Sequence, residues 1–182
     1  SHAVESYISK KSTYFTEMLS TEAIKIVAEY LPKLIKNGSS VEAREKMSYA
    51  SMLMGINLGN ASTCLPHRMQ YPIGALTDTS HGEGLAALYL AWIEVTYQKS
   101  GDKFNYVAEK LSRKECKTKE GVIKAFTDFF SSIKIENDLS SLGIKKTQIP
   151  QLVENVSGSI ENDPGSTIEN VIEKIYLKSI AD

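Results

Sequence analysis

His67 and His81 lie fourteen residues apart in a segment rich in small residues, proline and glycine, and the third histidine, His2, follows the first residue. Imidazole is a common metal ligand and titrates near neutral pH without help from its surroundings. A chain this sparing with histidine, yet clustering it this way, invites a metal-site reading. A divalent site needs three or four nitrogen, oxygen or sulfur donors, however, and the spacing alone supplies two. Cys64, three residues before His67, could face it across one helical turn, but inert burial is the commoner fate of such a side chain. Asp78 reads as a helix cap and Glu83 as an acid in a first helical turn. On these residues alone the histidines could equally be surface groups or hydrogen-bonded core groups. A Ser-His start is also what an expression tag leaves behind.

The elements that would position these residues read as helical nearly throughout. Residues 3–9 look like the tail of a helix already under way. Thr21 is placed to cap a helix over 21–35 whose apolar residues recur at helical spacing. Pro32 should kink it or mark its last turns, and Gly38 should close it in the left-handed conformation. A long helix is expected over 41–64, and the small residues of its second half (Ala50, Ser51, Gly55, Gly59, Ala61 and Ser62) predict a central position with close packing. Pro66 and Pro72 should break the chain around His67, with a connection over 74–80. Asp78, Thr79 and Ser80 can cap a helix over 81–98. That helix is apolar almost all round, so it belongs at the centre. His81 then sits in its first turn, where backbone N–H groups are unpaired. Shorter helices follow over 102–111, 118–131 and 149–156, then a turn at 162–167 and a last amphipathic helix over 168–180. No strand run, repeat or low-complexity tract is present. The fold class is all-α.

Composition bounds the function. The 182 residues suffice for one domain with a substantial core rather than two. Hydrophobic content of 42% and charged content of 24% are ordinary for a globular protein. A formal charge of −1 and a pI near 6.3 lack the basic footprint of a nucleic-acid binder. The longest apolar run, 85–93, is too short to span a bilayer. Two cysteines, Cys64 and Cys116, make no disulfide framework and fit a reducing, cytoplasmic setting. No GxGxxG, P-loop, GxSxG or HExxH motif occurs. The chain opens without Met in sequence that already reads as helix, so a piece of a longer protein is expected.

Three segments, the opening Ser1-His2-Ala-Val-Glu, the central Asn60-Ala-Ser to His67 with Ser80-His81-Gly82, and the closing Asn162-Asp-Pro-Gly, together resemble the C-terminal helical domain of the iron-containing (group III) alcohol dehydrogenases. The opening Ser-His-Ala-Val-Glu-Ser-Tyr-Ile-Ser is similar to the family's D-x-x-x-H-A-I/V-E-x-Y-x-S helix, entered at its histidine. Met54 through Asn60-Ala-Ser to His67, then Ser80-His81-Gly82, resembles its N-N-A-S…H-x-x-x-H-x-L-G…P-H-G signature. Asn162-Asp-Pro-Gly-Ser-Thr-Ile-Glu-Asn-Val-Ile is similar to its closing N-P-R-x-x-T-x-x-D-I/V turn and helix. Residues 100–160 match only in helical character.

The resemblance implies a multi-helix bundle of the dehydroquinate synthase-like type, forming one metal-binding domain over 1–182. It implies a divalent metal, Fe²⁺ or sometimes Zn²⁺, held by His2, His67 and His81, with an aspartate four residues before His2 as fourth ligand. It further implies a small-molecule alcohol or carbonyl substrate, NAD or NADP on an N-terminal nucleotide-binding domain, and a homodimer among the assemblies it leaves open; neither nucleic acid nor membrane is expected as a partner. The sequence departs from the family where its second signature histidine becomes Tyr71, a candidate weak proton donor or a packing group beside Pro72. Arg68, Met69 and Gln70 replace small residues, which suggests a changed substrate pocket. Two other readings stand beside this one: an all-α interaction or scaffold module with structural histidines, and a family member that has lost its metal or changed its reaction.

Overall fold

The computed structural model describes residues 1–135 and 138–181, and among these every regular element is a helix. In chain order they are α1 (His2–Ile8), α2 (Tyr14–Lys36), α3 (Val41–Ala61), α4 (Leu65–Thr77), α5 (His81–Ser112), α6 (Lys119–Ser132), α7 (Ile149–Glu154) and α8 (Val171–Lys178), with 3-10 turns at Lys146–Gln148 and Pro164–Thr167. The all-α expectation holds.

α5 is the centre. Leu85, Leu88, Trp92, Ile93 and Phe104 along it are buried, and the Trp92 and Phe104 rings meet edge to face at 5.1 Å. Ser80 caps it by accepting from Glu83 N–H, as the sequence predicts, and the break expected between 98 and 102 appears as a kink at Ser100. α6 is capped by Thr118. α2 and α3 form a hairpin packed on α1 and α5, and α4 packs on α5.

Several boundaries differ from expectation, each for a local reason. α2 begins at Tyr14 rather than near Thr21, because Thr13 and Thr16 form a reciprocal cap. Its first turns carry Tyr14, Phe15 and Met18 on the exposed side, so the apolar period is hidden there. Pro32 lies inside the helix, which runs on to Lys36 and ends at Asn37 in an extended conformation, with no left-handed glycine. The chain around His67 is not broken. Pro66 occupies the first turn of α4, where its missing N–H costs no hydrogen bond, and Pro72 is carried within the helix. α4 is instead set off by Ser62 (φ 60°) before it and Asp78 (φ 55°) after it, so Asp78 closes α4 rather than opening α5. The small residues of α3 do not make it central: Ala50 and Ala61 are buried, but Ser51, Gly55 and Gly59 face outward, and a Cβ at Gly55 or Gly59 would meet nothing within 4 Å. α8 starts at Val171 because a 3-10 turn occupies the residues before it.

Candidate metal centre

The three histidines, 79 positions apart at their extremes in sequence, come together where α1, α4 and α5 meet. His2 stands at the start of α1, His67 in the first turn of α4, and His81 at the start of α5. The His2 and His67 rings are stacked with centroids 4.7 Å apart. His81 meets His67 edge to face at 5.1 Å. Tyr71, one turn along α4 from His67 and 45% exposed, lies near-parallel to His81 at 6.3 Å. His67 is buried, His2 half-buried and His81 exposed, so the cluster opens outward from His67.

His67 is held from behind by Glu5. The Glu5 carboxylate is fully buried and takes three hydrogen bonds: Oε1 from His67 Nδ1 (2.7 Å) and Tyr89 Oη (2.9 Å), Oε2 from the Cys64 N–H (2.9 Å). Burial alone would raise its pKa, but the hydrogen bonds from His67 and the Cys64 N–H hold it below the usual carboxylate value. Burial, then the charge of Glu5, pushes the Tyr89 hydroxyl well up, so it remains a donor. The Cys64 thiol bonds to the Glu5 carbonyl at 3.3 Å, and burial, then Asp163, raises its pKa well above that of a free thiol. Cys64 is therefore a packed group and no thiolate donor.

With His67 Nδ1 occupied by Glu5, Nε2 is the free nitrogen, and it is buried without a hydrogen-bond partner among the described residues. Buried polar atoms are rarely left this way, so an orphan calls for an explanation. Burial first, then the neighbouring His67, lowers the pKa of His2 to about 4. The same two causes lower that of His81. Both shifts favour the neutral imidazole, the form that ligates metal. His81 Nδ1 is paired with Gln70 Oε1. Among the described residues, no group of three or more His, Cys, Asp or Glu side chains stands ready as a metal site. The residues nevertheless fit such a group on one count: a buried imidazole nitrogen with no partner, backed by a carboxylate, beside two neutral imidazoles.

Sequence reading did not assign Glu5, Gln70, Tyr89 or Asp163 a role at the cluster. Asp163, expected as part of a turn, is fully buried and accepts from Leu65 N–H (3.0 Å), Trp92 Nε1 (2.8 Å) and Gly165 N–H (2.7 Å). It fixes the entry of α4 two residues before His67. Met69, expected to alter a substrate pocket, is instead fully buried in the core. Arg68 reaches the loop at Ser159, donating to its carbonyl at 3.3 Å. Glu83 is the first-turn acid expected, bonded to Ser80. Among the described residues, no helix is long and apolar enough to cross a membrane.

Residues 1–180 match the family model described as Fe-containing alcohol dehydrogenase family, C-terminal. The chain is 31% identical to a 1,3-propanediol dehydrogenase of Klebsiella pneumoniae, covering 98% of this chain and 48% of the relative. It is 26% identical to an NAD-dependent methanol dehydrogenase of Bacillus methanolicus, over 96% of this chain and 48% of the relative. A crystal structure of a 1,3-propanediol oxidoreductase superposes with a TM-score of 0.89 at 31% identity, over 98% of this chain and 49% of that one. The chain thus spans about half the length of the relatives it matches.

Proposed function

The chain belongs to the Fe-containing alcohol dehydrogenase family, as its C-terminal part, and from this we propose that it is the metal-carrying half of an NAD- or NADP-dependent oxidoreductase interconverting a small alcohol with an aldehyde or ketone. In this reading residues 1–182 form one metal-binding domain, and the nucleotide sits on a separate N-terminal domain. The observation that carries it is the buried Nε2 of His67, without a hydrogen-bond partner among the described residues, whose ring lies against those of His2 and His81.

His2, His67 and His81 would hold the metal, Fe²⁺ by family and Zn²⁺ by the same donor chemistry, with the aspartate implied four residues before His2 as a fourth ligand. A metal bound there would supply Lewis acidity toward the substrate oxygen, and the nicotinamide would supply or take up the hydride. The chain's own residues prepare for this. Glu5 keeps the His67 proton on Nδ1, so Nε2 presents its lone pair. Desolvation, the largest cause of the lowered pKa values of His2 and His81, favours their neutral forms. The apolar body of α5 excludes water behind the cluster. Tyr71, exposed and with its ring near-parallel to that of His81, would serve as a weak proton donor or as a packing group beside Pro72.

Metal analysis of the full-length protein tests the reading. His67→Ala and His81→Ala should each remove most of the bound metal, because loss of one ligand weakens the whole shell. Unchanged metal content in both variants would favour an all-α interaction module with structural histidines.

A further inference from the structure

Gln70 stands out as a long polar side chain that is only 4% exposed. It lies in a slot between α4 and α5 that two glycines make. A Cβ at Gly84 would come within 2.9 Å of Gln70 Cγ and 3.1 Å of its Nε2, and a Cβ at Gly74 within 3.0 Å of the same Nε2. An alanine at Gly84 would therefore expel the side chain or displace the backbone. The slot aims the amide at His81, whose Nδ1 pairs with Gln70 Oε1.

We propose that Gln70 is a positioning residue for His81: its buried carbonyl accepts the Nδ1 proton and fixes the ring in the tautomer whose Nε2 carries the lone pair, with Gly84 and Gly74 present to make room for it. A neutral imidazole has one donor and one acceptor nitrogen, and the partner of one decides the state of the other. Gln70 does for the exposed imidazole what Glu5 does for the buried one. The two supports differ in charge. The carboxylate strengthens His67 as a donor, whereas the amide orients His81 without adding negative charge. This leaves one strong and one weaker imidazole side by side. The tautomer assignment stands on the Gln70 geometry alone; its consequence for metal binding rests on the function proposed above.

The test uses the full-length protein with ¹⁵N-labelled histidine, metal-free, at pH 8, with resonances assigned through His67→Gln and His81→Gln. The His81 signals should show a protonated Nδ1 and a bare Nε2. Gln70→Met and Gly84→Ala should both shift them toward a mixture of tautomers while leaving the His67 signals in place, and Gln70→Glu should restore the wild-type pattern. Zn²⁺ affinity should fall by roughly tenfold or more in Gln70→Met and Gly84→Ala. A proton on Nε2 of His81 in the wild type would overturn the proposal, as would a pattern unmoved by Gln70→Met. If the tautomer shifts as expected but neither these variants nor His81→Gln alters Zn²⁺ binding, the metal reading fails and the Gln70 assignment survives.

Discussion

At the scale of single residues, the cluster depends on what stands behind each imidazole. Glu5 accepts from three buried donors at once, so Glu5→Ala strands the His67 Nδ1–H and the Cys64 N–H and leaves the Tyr89 hydroxyl only the Ser1 carbonyl. We expect it to cost about 3 kcal/mol or more of unfolding free energy, since each stranded buried group costs about 1–3 kcal/mol. Urea unfolding of Glu5→Ala beside Glu5→Gln measures it, with the Gln variant the milder because one oxygen still accepts. Tyr71 calls for a different measurement. Tyr71→Phe in the full-length enzyme should lower kcat while KM and metal content stay unchanged, if its hydroxyl passes the proton. An unchanged kcat assigns the ring to packing on His81 alone. Glu5 was given no role from sequence, and Gln70 was read toward a substrate pocket rather than toward His81, because their partners lie 62 and 11 positions away. Periodicity reports only neighbours within a turn or two.

At the scale of elements, helix type was legible and helix ends were only partly so. α5 and α6 carry their apolar faces and Ser or Thr caps in the usual order, and both begin where the sequence places them. The start of α2 was hidden because its cap is a pair of threonines preceding residues that face solvent. Pro66 and Pro72 misled because proline's cost depends on which carbonyl loses its donor, which spacing does not reveal. The corner between α1 and α2 is tied to α5 by Lys103, which donates to the Tyr7 carbonyl (2.9 Å), Ser12 Oγ (2.6 Å) and Glu17 Oε1 (2.7 Å). Burial alone would raise the pKa of Glu17, but Lys103 and Ser12 outweigh it and hold it below the ordinary 4.5. A carboxylate with a lowered folded pKa adds stability above its unfolded value and loses it as pH falls through the folded one. Lys103→Met should therefore flatten the loss of stability between about pH 5 and pH 3, as read by urea unfolding across that window. An equally steep acid limb in the variant would show that this corner carries no pH dependence.

At the scale of the whole molecule, the chain supplies three imidazoles and a helical body, about half the length of the relatives it resembles. Expressed alone, residues 1–182 should show no turnover of 1,3-propanediol or methanol with NAD or NADP, whereas the full-length protein should turn over a small alcohol. Steady-state assays of both, side by side, decide it, and turnover by the isolated chain would overturn the division of labour proposed. The family was legible from three short segments, the ones that carry His2, His67 with His81, and Asp163, while 100–160 matched only in helical character. Asp163 has one further consequence. The start of α4 is pinned by Glu5 from 59 positions upstream at Cys64 and by Asp163 from 98 positions downstream at Leu65. Contacts this distant close late, since chain entropy must be spent before they form. On a ribosome, His67 would emerge long before Asp163, and its helix would wait for nearly the whole domain to be synthesised. Nascent chains stopped short of Asp163 would thus display a loose α4, which makes the centre among the last parts of this domain to mature.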